Sequence, residues 1–271
     1  MNPFICPRCR APLLPDQTGL TCTQGHHLDR AREGYINFLL ANQKNSREPG
    51  DAREQLLARR QFLQAGYYQP LADALTAVVP KQTKSLLDLG CGEGYFTRAI
   101  AAGLDAQAQV LGMDIAKAAI QLAARQGFPA GGAAIAYGVA SSYQLPVADH
   151  SMEVICRINA PSSASELQRL LVPEGLLIIV SPADEHLLSL RQMIYQQVRP
   201  HPQPQAPEGF RMLQQSRVSH SLQLTPGELT QALLRMTPFA WRLSEPLQEQ
   251  LIHQGLNDRA DFHLCVYTRV S

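Results

Sequence analysis

Three cysteines and two histidines crowd into the first 27 residues, and together they are the ligand inventory of a metal site. The motifs Cys6-Pro-Arg-Cys9 and Cys22-Thr-Gln-Gly-His26 form two short knuckles that offer three thiolates and one imidazole. Zinc takes such ligands in closed tetrahedral sites, which have no open position for a substrate. The pattern therefore predicts a structural zinc ion that supplies folding energy to a short segment. His27 is the alternative fourth ligand.

A glycine-rich loop is the second feature with recognisable chemistry. It reads Asp88-Leu-Gly-Cys-Gly-Glu-Gly94 and follows an apolar run. Gly90, Gly92 and Gly94 allow a tight turn and let a ligand approach the main chain closely. Their Gly-x-Gly-x-Gly spacing differs from the Gly-x-Gly-x-x-Gly of a dinucleotide site. The spacing instead favours S-adenosylmethionine, a methyl donor that has an amino-acid tail and no pyrophosphate.

Carboxylates complete the predicted cofactor site. Asp88 opens the loop, and Asp114 closes the next apolar run about 20 residues further on, where an acid commonly binds ribose hydroxyls. Enzymes that bind S-adenosylmethionine often have another acid ahead of the fourth strand, and this acid binds the adenine amino group. Here the chain reads Val139-Ala-Ser-Ser142 instead, so Ser141 or a backbone carbonyl is expected to take that role.

Alternating apolar runs and helical segments from Lys81 onward supply the elements that must position these residues. Such alternation is typical of a parallel sheet covered on both faces. Two helical segments precede it between Asp51 and Val79, and Gly66 and Pro70 separate them. A further helix is predicted over 226–236. The predicted strands are Ser85–Leu89, Gln109–Asp114, Ile135–Ala140, Met152–Ile158, Leu176–Ser181, Arg217–Leu224 and Phe262–Val270.

The fourth- and fifth-strand regions, 144–155 and 171–179, resemble those of class I S-adenosylmethionine-dependent methyltransferases. The predicted fold is accordingly α/β, a Rossmann-like class I methyltransferase with a mostly parallel seven-stranded sheet and a small N-terminal zinc-binding domain. We expect the zinc-binding domain over residues 1–45, a helical linker that contributes to the cofactor pocket over 46–80, and the methyltransferase domain over 81–271. The proline-rich stretch 199–209 is expected to be an extended loop or lid over a site.

Composition and the N-terminal residues bound the class of protein. Of the 271 residues, 45% are hydrophobic and 17% are charged, and no apolar run approaches the length of a membrane span. The first residues lack the basic region, apolar segment and cleavage site of a secretory signal, so a cytoplasmic location is expected. A net charge of +1 excludes a uniformly basic coat but allows a local basic face that meets phosphate.

Four further strings make the resemblance more specific. Residues 29–37, 47–51, 58–71 and 236–241 are similar, in order and spacing, to the bacterial 23S ribosomal RNA guanine-N1 methyltransferases. The resemblance implies methyl transfer from S-adenosylmethionine to N1 of a guanine in a hairpin loop of 23S rRNA. It also implies a zinc domain that grips RNA and a homodimer with a joint RNA cleft. The residues it carries over are Cys6, Cys9, Cys22 and His26 as zinc ligands, and Tyr68, Gly94, Tyr95 and His186 as contacts of the methyl donor.

The sequence says less about the residues that bind the guanine and accept its proton. N1 of neutral guanine carries a proton that must leave as the new bond forms. Asn159 follows the fourth strand and is a candidate for binding the base edge, while Asp184 and Glu185 follow the fifth and are candidates for accepting the proton. The sequence leaves the base unassigned.

Two other functions compete with this interpretation. A small-molecule methyltransferase is favoured by the Leu-Pro-x-x-Asp pattern that begins at Leu145, but the zinc knuckles argue against it. A non-catalytic zinc-dependent RNA-binding protein is the second alternative. The intact glycine loop and Asp114 argue against that one.

Overall fold

The zinc-binding segment folds as a three-stranded antiparallel sheet. The computed structural model describes residues 3–40, 50–127 and 129–270, so the predicted boundary at residues 45 and 46 lies outside the described residues. Asp16 closes the turn between the first two strands, because its Oδ1 accepts a hydrogen bond from the backbone N–H of Thr18 at 2.9 Å. The strands pair in chain order and are β1 (Leu13–Pro15), β2 (Gly19–Cys22) and β3 (His27–Asp29).

The remaining strands form one large sheet. They are β4 (Ile36–Asn37), β5 (Ser85–Leu89), β6 (Gln109–Asp114), β7 (Ala134–Val139), β8 (Met152–Ile158), β9 (Leu171–Pro182), β10 (Phe210–Leu224) and β11 (Leu256–Arg269). Their order is β10-β11-β9-β8-β5-β6-β7-β4, and only the pairs of β11 with β9 and β10 are antiparallel. The predicted class I fold with a mostly parallel sheet is confirmed. The sheet has eight strands rather than seven, because β4, which follows the zinc-binding sheet, pairs in parallel with β7.

The last two strands extend further than their sequence patterns predicted. β10 begins at Phe210 rather than Arg217, and β11 begins at Leu256 rather than Phe262. The two pair with each other along a long antiparallel ribbon. Most of the additional residues are polar, so apolar alternation does not mark them, and pairing of the backbone with the neighbouring strand extends the strands.

Helices connect the strands and cover the sheet. Pro70 lies in the first turn of α2, where its missing N–H is not needed, and Gly66 has a φ of +85° just after α1. No helix of the described residues is both long and apolar enough to cross a membrane. The helices are α1 (Arg53–Gln64), α2 (Gln69–Val78), α3 (Tyr95–Ala102), α4 (Lys117–Ala124), α5 (Ala164–Leu170), α6 (Leu188–Ile194), α7 (Glu228–Met236) and α8 (Glu245–Gln254).

Two apolar layers hold the sheet, and the N-terminal segment belongs to one of them. Phe62 and Leu75 of α1 and α2 are buried in the first layer. Phe4 and Phe38 are buried in the second layer together with Leu87 of β5, and their own ring centroids are 4.9 Å apart. The zinc-binding sheet is therefore docked on the methyltransferase sheet through a shared core.

Polar contacts fasten the same junction. The backbone N–H of Ile5 donates to the carbonyl of Pro146 at 3.0 Å. The guanidinium of Arg10 donates to the carboxylate of Asp149 at 2.8 Å, and Arg169 donates to the same oxygen at 2.5 Å. Asp149 thus links the metal-binding segment to α5 of the larger sheet.

Candidate metal centre and cofactor cavity

Three thiols and one imidazole converge at one point of the zinc-binding segment. The ligand atoms of Cys6, Cys9, Cys22 and His26 all lie within 4.8 Å of one another. The Sγ atoms of Cys9 and Cys22 are 3.6 Å apart, and Nδ1 of His26 lies 3.5 Å from the Sγ atoms of Cys6 and Cys22. Tetrahedral zinc with bonds of about 2.3 Å to sulfur needs ligand atoms roughly 3.7 Å apart. The four residues therefore fit a zinc ion.

The neighbouring histidine is turned away from this cluster. Nδ1 of His27 lies 3.2 Å from the carboxylate of Asp16 and 2.7 Å from the hydroxyl of Thr21. The backbone N–H of Cys22 donates to the carbonyl of His26 at 3.0 Å, which closes the second knuckle with the His26 ring directed at the thiols. The structure thus brings His26, and not His27, to the three cysteines.

The glycine-rich loop turns sharply between β5 and α3. Gly90 and Gly92 have φ angles of +77° and +56°, in the left-handed region that favours glycine. A Cβ atom on Gly90 would lie 2.3 Å from the Cβ of Ala160, whereas one on Gly92 would meet no atom within 4 Å. Gly94 is the N-cap of α3, and a Cβ there would lie 2.6 Å from the hydroxyl of Tyr137. Of the three glycines, only Gly92 has open space where a side chain would be, and we call this space the Gly92 cradle.

Two carboxylates flank the loop, the buried Asp88 and the half-buried Asp114. Oδ2 of Asp88 accepts a hydrogen bond from the Thr97 hydroxyl at 2.5 Å, while its Oδ1 is buried with no partner. Burial raises the pKa of Asp88 to about 7. Asp114 ends β6, and its two oxygens accept hydrogen bonds from the backbone N–H groups of Gly92 at 2.9 Å and Ala116 at 2.8 Å. Burial raises the pKa of Asp114 as well, although these two bonds act in the opposite direction.

A cavity of about 770 Å³ opens where these groups meet, at the carboxyl ends of the parallel strands. This is the usual ligand site of an open α/β sheet, and the volume falls within the roughly 300–1,000 Å³ of small-molecule sites. Gly92, Asp88 and Asp114 all line it. Together they fit a ligand that carries an amino group and hydroxyls, as S-adenosylmethionine does.

Comparisons with known proteins agree with this geometry. A zinc-ribbon family model described as "RlmA, N-terminal" matches residues 4–47, and a model described as "Methyltransferase domain" matches residues 86–175. A protein of Micromonospora griseorubida named "Putative 23S rRNA (guanine-N(1)-)-methyltransferase" is 34% identical over 266 residues, which cover 87% of this chain and 86% of that protein. The chain belongs to the 23S rRNA (guanine-N1)-methyltransferase family.

Two further proteins support the assignment at different levels. The 23S rRNA (guanine(748)-N(1))-methyltransferase of Streptomyces fradiae is 29% identical over 246 residues, covering 87% of this chain and 85% of that protein. A solved S-adenosylmethionine-dependent methyltransferase from Aquifex aeolicus superposes with a TM-score of 0.50 at 11% identity, covering 82% of this chain and 100% of that one, and shows the fold alone. The predicted family is confirmed: the protein is a methyltransferase with an N-terminal zinc ribbon, residues 4–47.

Most of the cofactor contacts predicted for this family member line the cavity. Gly94 does not line the cavity, because a Cβ there would meet the hydroxyl of Tyr137. Ser141 does not line it either, although its two neighbours in the chain, Ala140 and Ser142, do. The predicted contacts that do line it are Tyr68, Asp88, Gly90, Gly92, Tyr95, Asp114 and His186.

Tyr68 and His186 are held by a shared aromatic neighbour. Their ring centroids are 6.3 Å apart, and both rings pack on Phe262, at 5.1 Å for Tyr68 and 4.5 Å for His186. Nδ1 of His186 accepts a hydrogen bond from the backbone N–H of Asp261 at 3.3 Å, which leaves the ring proton on Nε2. Burial lowers the pKa of His186 to about 3, so the ring is a neutral hydrogen-bond donor.

The two acids predicted to accept a proton lie outside the cavity lining. Glu185 is ion-paired with Arg259 at 3.1 Å and with Arg217 at 3.7 Å. Its backbone N–H donates to the buried carboxylate of Asp261 at 2.9 Å, which fixes the turn after β9 and directs Glu185 toward those arginines. Asp184 lines a separate groove. Asn159, the third acceptor-side candidate, does line the cavity and has a φ of +51° directly after β8.

Sequence reasoning missed several residues of the cavity wall. Asp51 and Arg59 form an ion pair at 2.6 Å on the wall of the cavity next to α1, and no periodic pattern in the sequence marks them. Arg157 is the charged exception near the end of an apolar strand, and that break in pattern could have identified it. His201 shows that the proline-rich stretch reaches the cavity, as the expectation of a loop over a site implied.

Proposed function

We propose that this protein transfers a methyl group from S-adenosylmethionine to N1 of a guanine in a hairpin loop of 23S rRNA. The proposal is supported above all by the family relationship, which spans the zinc ribbon and the methyltransferase domain together. The relative from Streptomyces fradiae is named for methylation at N1 of guanine 748. The cavity next to the glycine loop gives both reactants a place to meet.

The cofactor half of the proposal rests on the loop and its acids. S-adenosylmethionine, when bound, supplies an electrophilic methyl carbon on its sulfonium. Asp114 is the acceptor for ribose hydroxyls, and the unpaired Oδ1 of Asp88 suits a charged amino group. His186 donates from Nε2, and Tyr68 and Tyr95 complete the wall. These residues orient the donor and exclude water, which is most of what an in-line methyl transfer requires.

The acceptor half rests on Asn159 and Arg157. The guanidinium of Arg157 donates to the Ser162 hydroxyl at 2.8 Å, and the residues that the structure describes place no carboxylate within ion-pair distance of it. Arginine is the usual donor to O6 and N7 of guanine, and an amide offers both a donor and an acceptor. As N1 loses its proton, negative charge builds on O6 and the fixed positive charge of Arg157 stabilises it.

Proton release completes the reaction. N1 forms a bond to the methyl carbon, the carbon–sulfur bond breaks with its electrons on sulfur, and the N1 proton leaves. His201 lines the cavity, and burial lowers the pKa of its imidazole, so the ring is neutral at physiological pH and is able to accept that proton. His201 therefore replaces Asp184 and Glu185 as the candidate acceptor in this proposal.

The proposal also includes RNA binding by the zinc ribbon, a homodimer and action in the cytoplasm. The ribbon is anchored to the methyltransferase sheet through Arg10 and Asp149, so RNA bound to it would be held at a fixed position relative to the cavity. Exposed arginines on the ribbon suit phosphate. They are Arg8, Arg30 and Arg32. The 15-residue strand β10 lies at the edge of the sheet, where a second copy has backbone groups to pair with.

Methyl transfer from labelled S-adenosylmethionine to an unmodified 23S rRNA transcript tests the proposal. We expect label on one hairpin-loop guanine, identified by mass spectrometry as N1-methylguanine, and none with the Asp114→Ala variant. A parallel reaction with a small-molecule extract of cells covers the competing substrate class. Labelled metabolite beside unlabelled RNA would overturn the proposal.

A further inference from the structure

The only tryptophan of the chain stands in solvent beside the cavity. Trp241 is 81% exposed and lies in a short 3-10 helix, Ala240–Arg242. The residues just before it, 236–239, line the cavity. The backbone N–H of Arg242 donates to the carbonyl of Phe239 at 2.9 Å, which fixes this turn at the cavity mouth. Tryptophan is enriched at binding surfaces, because its ring offers a large apolar face and its N–H a polar contact.

Trp241 begins a strip that leads away from the cavity. The guanidinium of Arg242 lies 5.4 Å from the centroid of the Tyr195 ring. Tyr195 lines a second groove of about 550 Å³. Consecutive residues line the two hollows, Pro200 the groove and His201 the cavity, so the hollows adjoin. We call Trp241, Arg242 and Tyr195 the rim strip. The groove beyond it contains three amide side chains, Gln192, Gln196 and Gln197.

The chemistry of the rim strip suits unpaired RNA bases. Unstacked bases bind aromatic rings and the planes of arginine side chains. Arg242 is exposed, and no carboxylate of the described chain forms an ion pair with it, so its charge is free to meet a phosphate. The glutamine amides beyond offer donors and acceptors to base edges.

We infer that the rim strip binds the nucleotide next to the target guanine, with the base of that nucleotide stacked on Trp241. The inference rests on the proposed function. A guanine that enters the cavity must leave its stack, and its neighbour then loses a stacking partner at the cavity mouth. Trp241 supplies a replacement surface there, Arg242 binds the adjoining phosphate, and the groove beside Tyr195 receives the following nucleotide.

Tryptophan emission gives a direct test, because every tryptophan photon comes from Trp241. Adding an unmodified 23S rRNA transcript to the wild-type protein should quench the emission saturably, with a midpoint that matches the KM for the transcript. Emission that does not respond to RNA contradicts the inference. A spectrum that changes with protein concentration in the absence of RNA would assign Trp241 to a contact between two copies, and this also overturns it.

Steady-state methylation of the same transcript gives a second test. Trp241→Ala should raise the KM for RNA about 5- to 150-fold, the range that corresponds to ~1–3 kcal/mol for one stacked base. The affinity for S-adenosylmethionine and the unfolding temperature should stay at their wild-type values, since the ring is in solvent. Trp241→Phe keeps an aromatic face and should recover most of the affinity for RNA. Val270→Ala, at an exposed apolar residue just after β11, is the matched control, because β11 runs antiparallel to β9 and ends at the amino end of β9, away from the cavity.

The inference and the proposed function fail in different ways. Wild-type protein that methylates rRNA, paired with a Trp241→Ala variant of unchanged KM for RNA, overturns the rim strip and leaves the proposed function standing. Wild-type protein that binds the cofactor and leaves rRNA unmethylated overturns the proposed function and the rim strip with it.

Discussion

The carboxylate of Asp114 accepts a hydrogen bond from the backbone N–H of Gly92 at 2.9 Å, so the end of β6 and the loop after β5 are fixed as one unit. The second oxygen of Asp114 is held by the backbone N–H of Ala116 at 2.8 Å. Each oxygen retains a free lone pair that can accept from a ligand hydroxyl. The acid is thus held in position before any ligand arrives.

Asp114→Asn should weaken cofactor binding, because the amide replaces one charged acceptor by a donor. Hydrogen bonds to charged groups are worth about 1.5–3 kcal/mol, which corresponds to roughly 10- to 100-fold in Kd. Titration calorimetry with S-adenosylmethionine measures the loss. Asp105→Asn, in the exposed turn before β6, is the control and should bind as the wild type does. Equal affinity in both variants would remove Asp114 from the cofactor site.

Adjacent histidines make a matched pair for the metal centre. His26→Ala should lose about one zinc per chain, whereas His27→Ala should keep it, because only the His26 ring faces the thiols. Structural zinc is worth on the order of 10 kcal/mol in small zinc domains, so His26→Ala should also lower the unfolding temperature markedly. Metal analysis of the purified variants decides the question. Zinc retained by His26→Ala and lost by His27→Ala would reverse the assignment.

Two glycines of the loop should respond differently to alanine. Gly90→Ala should destabilise the fold by well over the ~1–2 kcal/mol of a left-handed non-glycine residue, because its Cβ would overlap that of Ala160. Gly92→Ala should cost only about that strain energy, yet its methyl group would enter the open cradle and weaken cofactor binding at least about tenfold. Urea denaturation and calorimetry on both variants separate the two effects. Indistinguishable stabilities would contradict the close contact at Gly90.

The pH dependence of stability should contain two opposing contributions. Burial raises the pKa of Asp88 from 3.8 to about 7, so its protonated form favours the folded state and this contribution is lost as pH rises through that window. Burial lowers the pKa of His186 from 6.5 to about 3, so its neutral form favours the folded state and that contribution is lost as pH falls. Between pH 4 and 6.5 the two slopes oppose each other.

Single variants should reveal each slope. Relative to wild type, Asp88→Asn should make the free energy of unfolding rise more steeply with pH, because only the His186 contribution remains. His186→Gln should make the free energy of unfolding fall with pH relative to wild type, because only the Asp88 contribution remains. The limit for one group is about 1.4 kcal/mol per pH unit. Urea denaturation of the three proteins at several pH values between 4 and 6.5 measures the differences, and groups common to all three cancel. Parallel curves would mean that neither group titrates as its burial requires.

The cysteine–histidine cluster and the turn of the glycine loop could be predicted from sequence because the geometry of each is local. Two short knuckles bring four ligands together with little help from the rest of the chain, and Asp114 sits next to Gly92 because β5 and β6 are adjacent parallel strands. The turn after β9 is different. Its direction depends on the carboxylate of Asp261 on β11, which holds the backbone N–H of Glu185 from a strand far away in sequence.

Other parts of the cavity wall could not be predicted from the sequence either. Residues 236–239 lie between β10 and β11 in sequence, and no local pattern predicts that they line a cavity at the carboxyl ends of the parallel strands. The two-residue strand β4 is too short to have a period. Its pairing is specified by the docking of Phe38 into the sheet core and not by its own sequence.

The short strand β4 also bears on the aggregation of the protein. Ile36–Asn37 pairs with Gly138 and Val139 along the outer side of β7 and so caps one edge of the sheet. Uncapped edges recruit strands from other molecules. If the zinc ribbon unfolds for lack of metal, β7 loses its cap, and we expect zinc-starved protein to aggregate.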